Sequence, residues 1–215
     1  MARVARVTLV FASVEDVVFE VSNVLRVPVL ILALATLALV VVELGALAYE
    51  LKRRRRRDSD RLERAAVAAR AAQGDDERRH ALLTLQGAAS SEAMATAVAR
   101  VARFAGGPGA SARIAKSLAD FDLRSLRRLE RTRMLVRAGP ALGLMGTLIP
   151  LSPALSGLAR GDVARLTDNL RVAFSITVLG LLVGAVAFGI SLVRDRLYAQ
   201  DLSDLEFVAA VLEER

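Results

Sequence analysis

The residues of this sequence that could take part in chemistry are hydroxyls inside two apolar stretches. Thr147 lies in the uncharged run 138–159, and Ser175 and Thr177 lie in the uncharged run 172–193. A hydroxyl inside a membrane span can line an ion path, but it can also bond to a carbonyl of its own preceding turn. For these three hydroxyls, residue type and spacing alone leave both interpretations open.

Small residues recur at helical spacing beside these hydroxyls. Gly139 and Gly143 are four residues apart, as are Gly180 and Gly184. Such small-xxx-small patterns let two helix backbones approach closely where lipid supplies no hydrophobic driving force. We therefore predict that five glycines pack the two helices against each other: Gly139, Gly143, Gly146, Gly180 and Gly184.

Most other chemistry is excluded by residue type. The sequence has no Cys and one His, His80, so disulfides, thiolate metal sites and paired-histidine sites are ruled out. No catalytic triad, phosphate-binding loop or metal-ligand spacing is visible, so we predict no enzyme, metal site or cofactor. Neither apolar run carries an ionisable side chain, although an ion relay usually needs one at depth. Glu43 lies close to basic residues, and we expect it to pair at the membrane interface.

Composition and length predict an all-α membrane protein with three transmembrane helices and long cytoplasmic helical extensions. The chain is 54% hydrophobic yet 25% charged, with 4% aromatic residues, so apolar and charged residues must be segregated into blocks. Runs 138–159 and 172–193 each span about 33 Å as helices, enough to cross a bilayer. The predicted segments are an N-terminal amphipathic segment (1–26), a first transmembrane helix (27–51), a cytoplasmic helical region (52–137), a second transmembrane helix (138–159), a short outer loop (160–171), a third transmembrane helix (172–193) and a cytoplasmic C-terminal helix (194–215).

A block of basic residues, 52–57, follows the first span and predicts on which side of the membrane each segment lies. By the positive-inside rule it places region 52–137 and the C-terminus in the cytoplasm, with the N-terminus and the 160–171 loop outside. Nucleic-acid binding is a weaker explanation of the block and of the net charge of +7, because stacking aromatics and base-reading motifs are missing. For residues 1–26 we favour a helix at the membrane surface over a signal peptide, since acidic residues interrupt the apolar run. The block consists of Lys52, Arg53, Arg54, Arg55, Arg56 and Arg57.

The two runs resemble the MotA/TolQ/ExbB family of ion-channel subunits. Residues 139–148, Gly-Pro-Ala-Leu-Gly-Leu-Met-Gly-Thr-Leu, look like the family's A-P-x-L-G-L-L-G-T-V run, and residues 173–181, Ala-Phe-Ser-Ile-Thr-Val-Leu-Gly-Leu, look like its A-L-x-x-T-A-x-G-L run. The resemblance covers about residues 134–200, and three spans suit the TolQ/ExbB branch better than the four-span MotA branch. Val172 stands where TolQ/ExbB members often carry a Glu, and Pro150 replaces a small residue.

The resemblance implies a pentameric ring in the inner membrane, around single-span partners of the ExbD/TolR/MotB type. The partner contributes a membrane Asp, and flow of H⁺ or Na⁺, with H⁺ favoured, drives mechanical work at the cell envelope. Thr147 and Thr177 match the family threonines that face the partner and the ion path. The alternative is a non-conducting scaffold or signalling protein of the same fold.

Overall fold

The structure, a computed structural model, describes Val17, Glu20, Val21, residues 24–54 and residues 59–214. The described part is all-helical and contains no strand, which confirms the predicted fold class. The predicted surface helix of residues 1–26 falls mostly outside the described residues, as do Arg55, Arg56 and Arg57. The helices are α1 (Arg26–Arg54), α2 (Ser59–Ala71), α3 (Asp75–Ala88), α4 (Glu92–Phe104), α5 (Ala110–Leu158) and α6 (Val163–Glu213).

Three of these helices are long and apolar enough to cross a membrane. They are α1, α5 and the part of α6 from Leu166 to Glu213, judged by length and composition. A helix of this length exceeds the thickness of the hydrocarbon layer, so α5 and α6 also have long polar portions beyond any span. The expectation of three candidate transmembrane helices is confirmed.

Short polar and glycine-containing segments separate the smaller helices. Ser91 precedes α4, and its hydroxyl oxygen accepts a hydrogen bond from the Met94 amide at 3.1 Å, which is N-terminal capping. Between α4 and α5 the backbone turns through Gly106 and Gly109, whose φ angles of 78° and 68° favour glycine. The glycine-rich segment 106–109 therefore forms the break between these two helices.

The connector between α5 and α6 is shorter than the predicted outer loop of residues 160–171. Helix α6 already begins at Val163, so residues 163–171 of the predicted outer segment are helical. Val163, Leu166 and Leu170 recur at helical spacing, and Asp162 is a residue type favoured just before a helix. Gly161, with a φ angle of 82°, makes the turn. The low hydropathy of this segment had hidden its helical periodicity.

The chain forms two compact units, which are described separately. The membrane unit comprises the described residues up to Leu44 together with Thr132–Gly189. Its interior includes Val40, Ile176 and Val183, while large apolar side chains such as Phe174 and Val178 are exposed over about two thirds of their surface. Such exposure is compatible with a lipid environment, because contact between apolar side chains and lipid tails has no hydrophobic cost.

The second unit, the helical-bundle unit, comprises Gly45–Arg131 and the residues from Ile190 onward. It contains the end of α1, the whole of α2 to α4, the first part of α5 and the last part of α6. Side chains from all five helices α2 to α6 form one apolar core, and several of them have no exposed surface. These fully buried residues include Leu85, Met94, Val98, Val101, Leu205 and Val208.

Truncating a core residue of this unit is expected to destabilise it strongly. Leu85 has no exposed surface, so Leu85→Ala should lower the free energy of unfolding by about 2–5 kcal/mol through lost burial and a residual cavity. The measurement is the thermal unfolding midpoint of the detergent-purified protein. Leu83→Ala is the matched control on α3, because Leu83 is 61% exposed. Equal midpoint shifts for the two variants would contradict the assigned core.

Candidate functional site

Helices α5 and α6 approach each other closely where glycines face each other in the membrane unit. A Cβ atom added at Gly180 would lie 2.5 Å from the Gly139 carbonyl oxygen and 2.8 Å from the Gly143 Cα. A Cβ added at Gly184 would lie 2.8 Å from the Pro140 ring, and one at Gly146 would collide with Ile176. All five glycines singled out from the sequence therefore lie in this seam, where a Cβ would clash at four of them and would be tight, 3.3 Å from Thr177, at Gly143.

The hydroxyl of Thr177 joins the two helices directly. Its Oγ1 lies 3.1 Å from the Gly143 carbonyl oxygen on α5 and 3.3 Å from the Ala173 carbonyl oxygen on its own helix. The residue is only partly exposed. Thr177 therefore contributes to the packing of the seam, where the glycine at position 143 leaves the carbonyl accessible.

Thr147 and Ser175 donate their hydroxyl protons within their own helices. Thr147 Oγ1 lies 2.7 Å from the Leu144 carbonyl oxygen, and Ser175 Oγ lies 2.9 Å from the Arg171 carbonyl oxygen. Thr147 is partly exposed and Ser175 is exposed. A hydroxyl that donates one hydrogen bond keeps acceptor lone pairs on its oxygen. Each of these side chains can therefore still accept a hydrogen bond from water or contribute an oxygen to a cation.

The described residues of the basic block that follows the first transmembrane segment differ in their exposure to solvent. Lys52 and Arg53 are exposed, but the Arg54 side chain is 15% exposed and pairs with Asp201, which is 2% exposed. Two parallel bonds join them, from Nη1 to Oδ1 at 2.9 Å and from Nη2 to Oδ2 at 2.5 Å. The hydroxyl of Ser90 also bonds to Asp201 Oδ1. We call these three residues the Arg54–Asp201 clamp.

The clamp connects three parts of the helical-bundle unit that are distant in sequence: the end of α1, the α3–α4 connection and the extension of α6. Bidentate arginine–carboxylate pairs have defined geometry as well as charge attraction. The basic block predicts only a topological role for Arg54, and Ser90 and Asp201 are not among the residues predicted to be functional. A signal was present, because Tyr198, Asp201, Leu205 and Val208 follow helical spacing, which places an acid on an otherwise apolar face.

Four further ionisable side chains lie near the clamp: Glu50, Arg194, Tyr198 and Asp204. Glu50 Oε2 lies 3.7 Å from Nε of Arg194, which is 4% exposed. Burial raises the pKa of the Tyr198 phenol and the charge of Glu50 adds to that rise, while the guanidinium groups of Arg194 and Arg128 oppose it. Asp204 lies one turn from this region, and its pKa is also raised, first by burial and then by repulsion from Asp201.

Among the described residues, no group of three or more His, Cys, Asp or Glu side chains could hold a metal ion. The spans of α5 and α6 carry hydroxyls but no acid or base, as the sequence shows. Glu43, on α1, is half-buried. The seam can thus supply oxygen ligands or hydrogen-bond acceptors to a passing ion, but it cannot itself take up and release a proton near neutral pH.

Comparison with protein families gives one match. The sequence model of the MotA/TolQ/ExbB proton channel family matches residues 93–206, more than half of the chain. The chain belongs to the MotA/TolQ/ExbB proton channel family. No curated protein and no solved structure gives a significant match.

Membership of the MotA/TolQ/ExbB family makes the chain a membrane proton-channel subunit, and three apolar helices agree with a multi-pass membrane protein. Family members work with partner subunits in a complex. The matched region begins in α4 and ends in the extension of α6, so it includes parts of both units and extends beyond the predicted resemblance of about 134–200. Asp201 lies inside the match, as do all five seam glycines.

Adding one methyl group to the seam should separate the two helices. Gly180→Ala places its Cβ against backbone atoms of α5, which cannot rotate away, so a loss of about 1–3 kcal/mol of stability is expected. The measurement is the thermal midpoint of the purified protein. Gly189→Ala is the matched control on α6, because a Cβ there meets nothing within 4 Å. This variant should be neutral or slightly stabilising, since Ala favours a helix over Gly.

Removing one partner of the clamp should destabilise the helical-bundle unit. Asp201→Asn leaves a largely buried guanidinium without charge balance, and a loss of about 3 kcal/mol of stability is expected. Thermal unfolding at neutral pH measures the effect.

Asp204→Asn is the control on the same helix, and its effect should have the opposite sign. The raised pKa of Asp204 means that the folded state holds the proton more tightly than the unfolded chain. Stability is therefore lost as pH rises from the ordinary aspartate pKa through the folded value. Asp204→Asn should raise the thermal midpoint at neutral pH, and this gain should shrink as pH falls through that window. A gain that is constant with pH would contradict titration of Asp204 as its cause.

Proposed function

We propose that this chain is the channel subunit of an ion-driven motor complex in the inner membrane. Together with a single-span partner of the ExbD/TolR/MotB type, it converts the ion-motive force, H⁺ in preference to Na⁺, into mechanical work at the cell envelope. The observation that carries the proposal is the α5–α6 hairpin, which combines a close-packed glycine seam with hydroxyls and has no ionisable group in residues 138–159 or 172–193. The titrating acid must then come from the partner, as a membrane Asp.

Thr147, Thr177 and Ser175 are proposed to face the ion path and the partner. Their donor hydrogens are directed at backbone carbonyls, so their oxygens are left as acceptors. Because the donor of Thr177 is held by a carbonyl of the other helix, the seam also fixes the direction of this oxygen. An oriented acceptor needs less reorganisation when an ion or hydronium passes.

The topology is proposed from chain connectivity and charge. The segments that follow the first span, precede the second and follow the third all belong to the helical-bundle unit. These segments must therefore lie on the same side of the membrane. Their basic residues, including Lys52 and Arg53, favour the cytoplasm, with the N-terminus and the α5–α6 connector outside.

The assembly is proposed to be a homo-pentamer around its partner subunits. The membrane unit exposes many large apolar side chains, including Leu144, Phe174, Val178 and Leu181. A ring would cover part of this surface with neighbouring copies and leave the rest to lipid. The mass of the complex in native mass spectrometry, extracted with detergent, should correspond to five copies; another copy number would contradict this part of the proposal.

A second candidate function is a non-conducting scaffold or signalling protein with the same fold. Two observations favour it: the Thr177 hydroxyl is engaged in helix packing, and Val172 occupies the position of the family's frequent Glu. If the protein conducts ions, removing the hydroxyls should lower ion flux as well as stability. If it is a scaffold, removing them should affect only stability.

Proton flux into vesicles tests the two functions. The protein is co-purified with its partner, reconstituted, and compared with the double variant Thr147→Val, Thr177→Val, which keeps the side-chain shape and removes both hydroxyls. A lost hydrogen bond in the path is worth about 1.4 kcal/mol, so flux should fall about tenfold or more. The control is Thr147→Ser, Thr177→Ser, which keeps both hydroxyls and should retain most of the flux.

The thermal midpoint of each variant separates packing from conduction. If flux in the Val variant equals that of the Ser variant, the hydroxyls do not line the path. If the wild-type complex itself conducts no ions, the scaffold function is the better account.

A further inference from the structure

A cavity of about 420 Å³ lies in the helical-bundle unit, apart from the glycine seam. It is formed by the end of α1, the α3–α4 connection with the start of α4, the first part of α5 and the extension of α6. Its most frequent lining residue is arginine. Five of them contribute: Arg53, Arg54, Arg124, Arg127 and Arg128.

The acids of the cavity do not balance these arginines. Asp201 is held by Arg54, and Glu50 lies beside Arg194, which is outside the lining. Glu92, the remaining lining acid, is exposed. Within the described part of the chain, no carboxylate lies in ion-pair distance of Arg53, Arg124, Arg127 or Arg128. The cavity therefore has an excess of positive charge.

The start of α4 adds backbone donors to the same cavity. Ser91 caps the Met94 amide, but the amides of Glu92 and Ala93 have no acceptor among the described residues. Both residues line the cavity. Free amides at the N-terminus of a helix favour an anion, and arginines provide forked donors that match phosphate oxygens.

Tyr198 supplies an independent indication of a ligand. It lines the cavity and is 9% exposed, and although the Arg128 guanidinium faces its hydroxyl oxygen, the hydroxyl proton has no acceptor in the described structure. A buried hydroxyl without a partner costs free energy, so such a group normally has a partner in the complete complex. A phosphate oxygen would accept its hydrogen bond.

The residues that line this cavity follow the predicted spans closely along the chain. Tyr198 follows Val193, the end of the third predicted span, by five residues, and Arg53 follows Leu51, the end of the first, by two. At 1.5 Å per residue these separations along a helix are about 3–8 Å, no more than about the thickness of the headgroup layer in which lipid phosphates lie.

We propose that this cavity is a binding site for a phosphate group, held by Arg124, Arg127 and Arg128, by the amides that begin α4 and by the Tyr198 hydroxyl. The phosphate belongs either to an anionic phospholipid headgroup or to a soluble phosphate compound, since both present the same oxygens.

Equilibrium binding to the full-length protein, in phosphate-free detergent buffer, tests the site. The probes are dihexanoyl phosphatidylglycerol and inorganic phosphate, with chloride at matched ionic strength as background. The double variant Arg127→Gln, Arg128→Gln should weaken binding about tenfold or more, because hydrogen bonds to charged groups are lost. Tyr198→Phe should weaken it less, by a few-fold. The matched control is Arg131→Gln, an exposed arginine on α5 that does not line the cavity, and it should leave affinity unchanged.

The two probes distinguish the source of the phosphate. Binding of the lipid alone assigns a headgroup, and binding of inorganic phosphate with similar affinity assigns a soluble compound. Binding of neither probe, or an equal loss in Arg131→Gln, would overturn the proposal.

A measurement on the wild-type protein keeps the test independent of variant folding. Phenylglyoxal modifies arginines, and its rate at each residue can be followed by peptide mass spectrometry. A bound probe should slow modification of Arg124, Arg127 and Arg128 relative to Arg131. Equal rates with and without probe at all four arginines would also overturn the site.

Discussion

The backbone contact between Gly139 and Gly180 is the constraint on which the membrane unit depends. A lipid environment gives apolar helices no hydrophobic reason to associate, so van der Waals contact and hydrogen bonds must hold them together. Both require the backbones to approach more closely than side chains permit. The seam meets this requirement with glycine on each side, and it brings the Gly143 carbonyl within reach of the Thr177 hydroxyl.

Local patterns in the sequence predicted much of this architecture. Uncharged runs identified the apolar portions of α5 and α6, and small residues at helical spacing identified the seam. These features depend on a few neighbouring residues, so they can be recognised without tertiary structure. The helical structure of residues 163–171 was not predicted, because the polarity of this segment obscures the helical spacing of Val163, Leu166 and Leu170.

The Arg54–Asp201 clamp could not be predicted in the same way. Its two charged partners are 147 residues apart, and Ser90 is 111 residues from Asp201. Sequence alone offers no reason to single out one arginine of a run as a structural partner. In the folded protein Arg54 is that partner, because its guanidinium pairs with the buried carboxylate of Asp201. A buried pair of this kind is weak evidence for net stability, but it fixes register, because any other alignment leaves a buried charge unpaired.

The absence of charge from the two spans and the close seam are connected physically. An ionisable residue at bilayer depth costs about 2.5–3.5 kcal/mol on insertion scales and needs space for water or a counter-charge. A seam in which even one Cβ at Gly180 has no room provides neither. A hydroxyl is compatible with this environment, because its donor is satisfied by a backbone carbonyl while its oxygen remains an acceptor. A chain built in this way can form a rigid, oriented wall for an ion, provided that the charge that binds the ion is on a different chain.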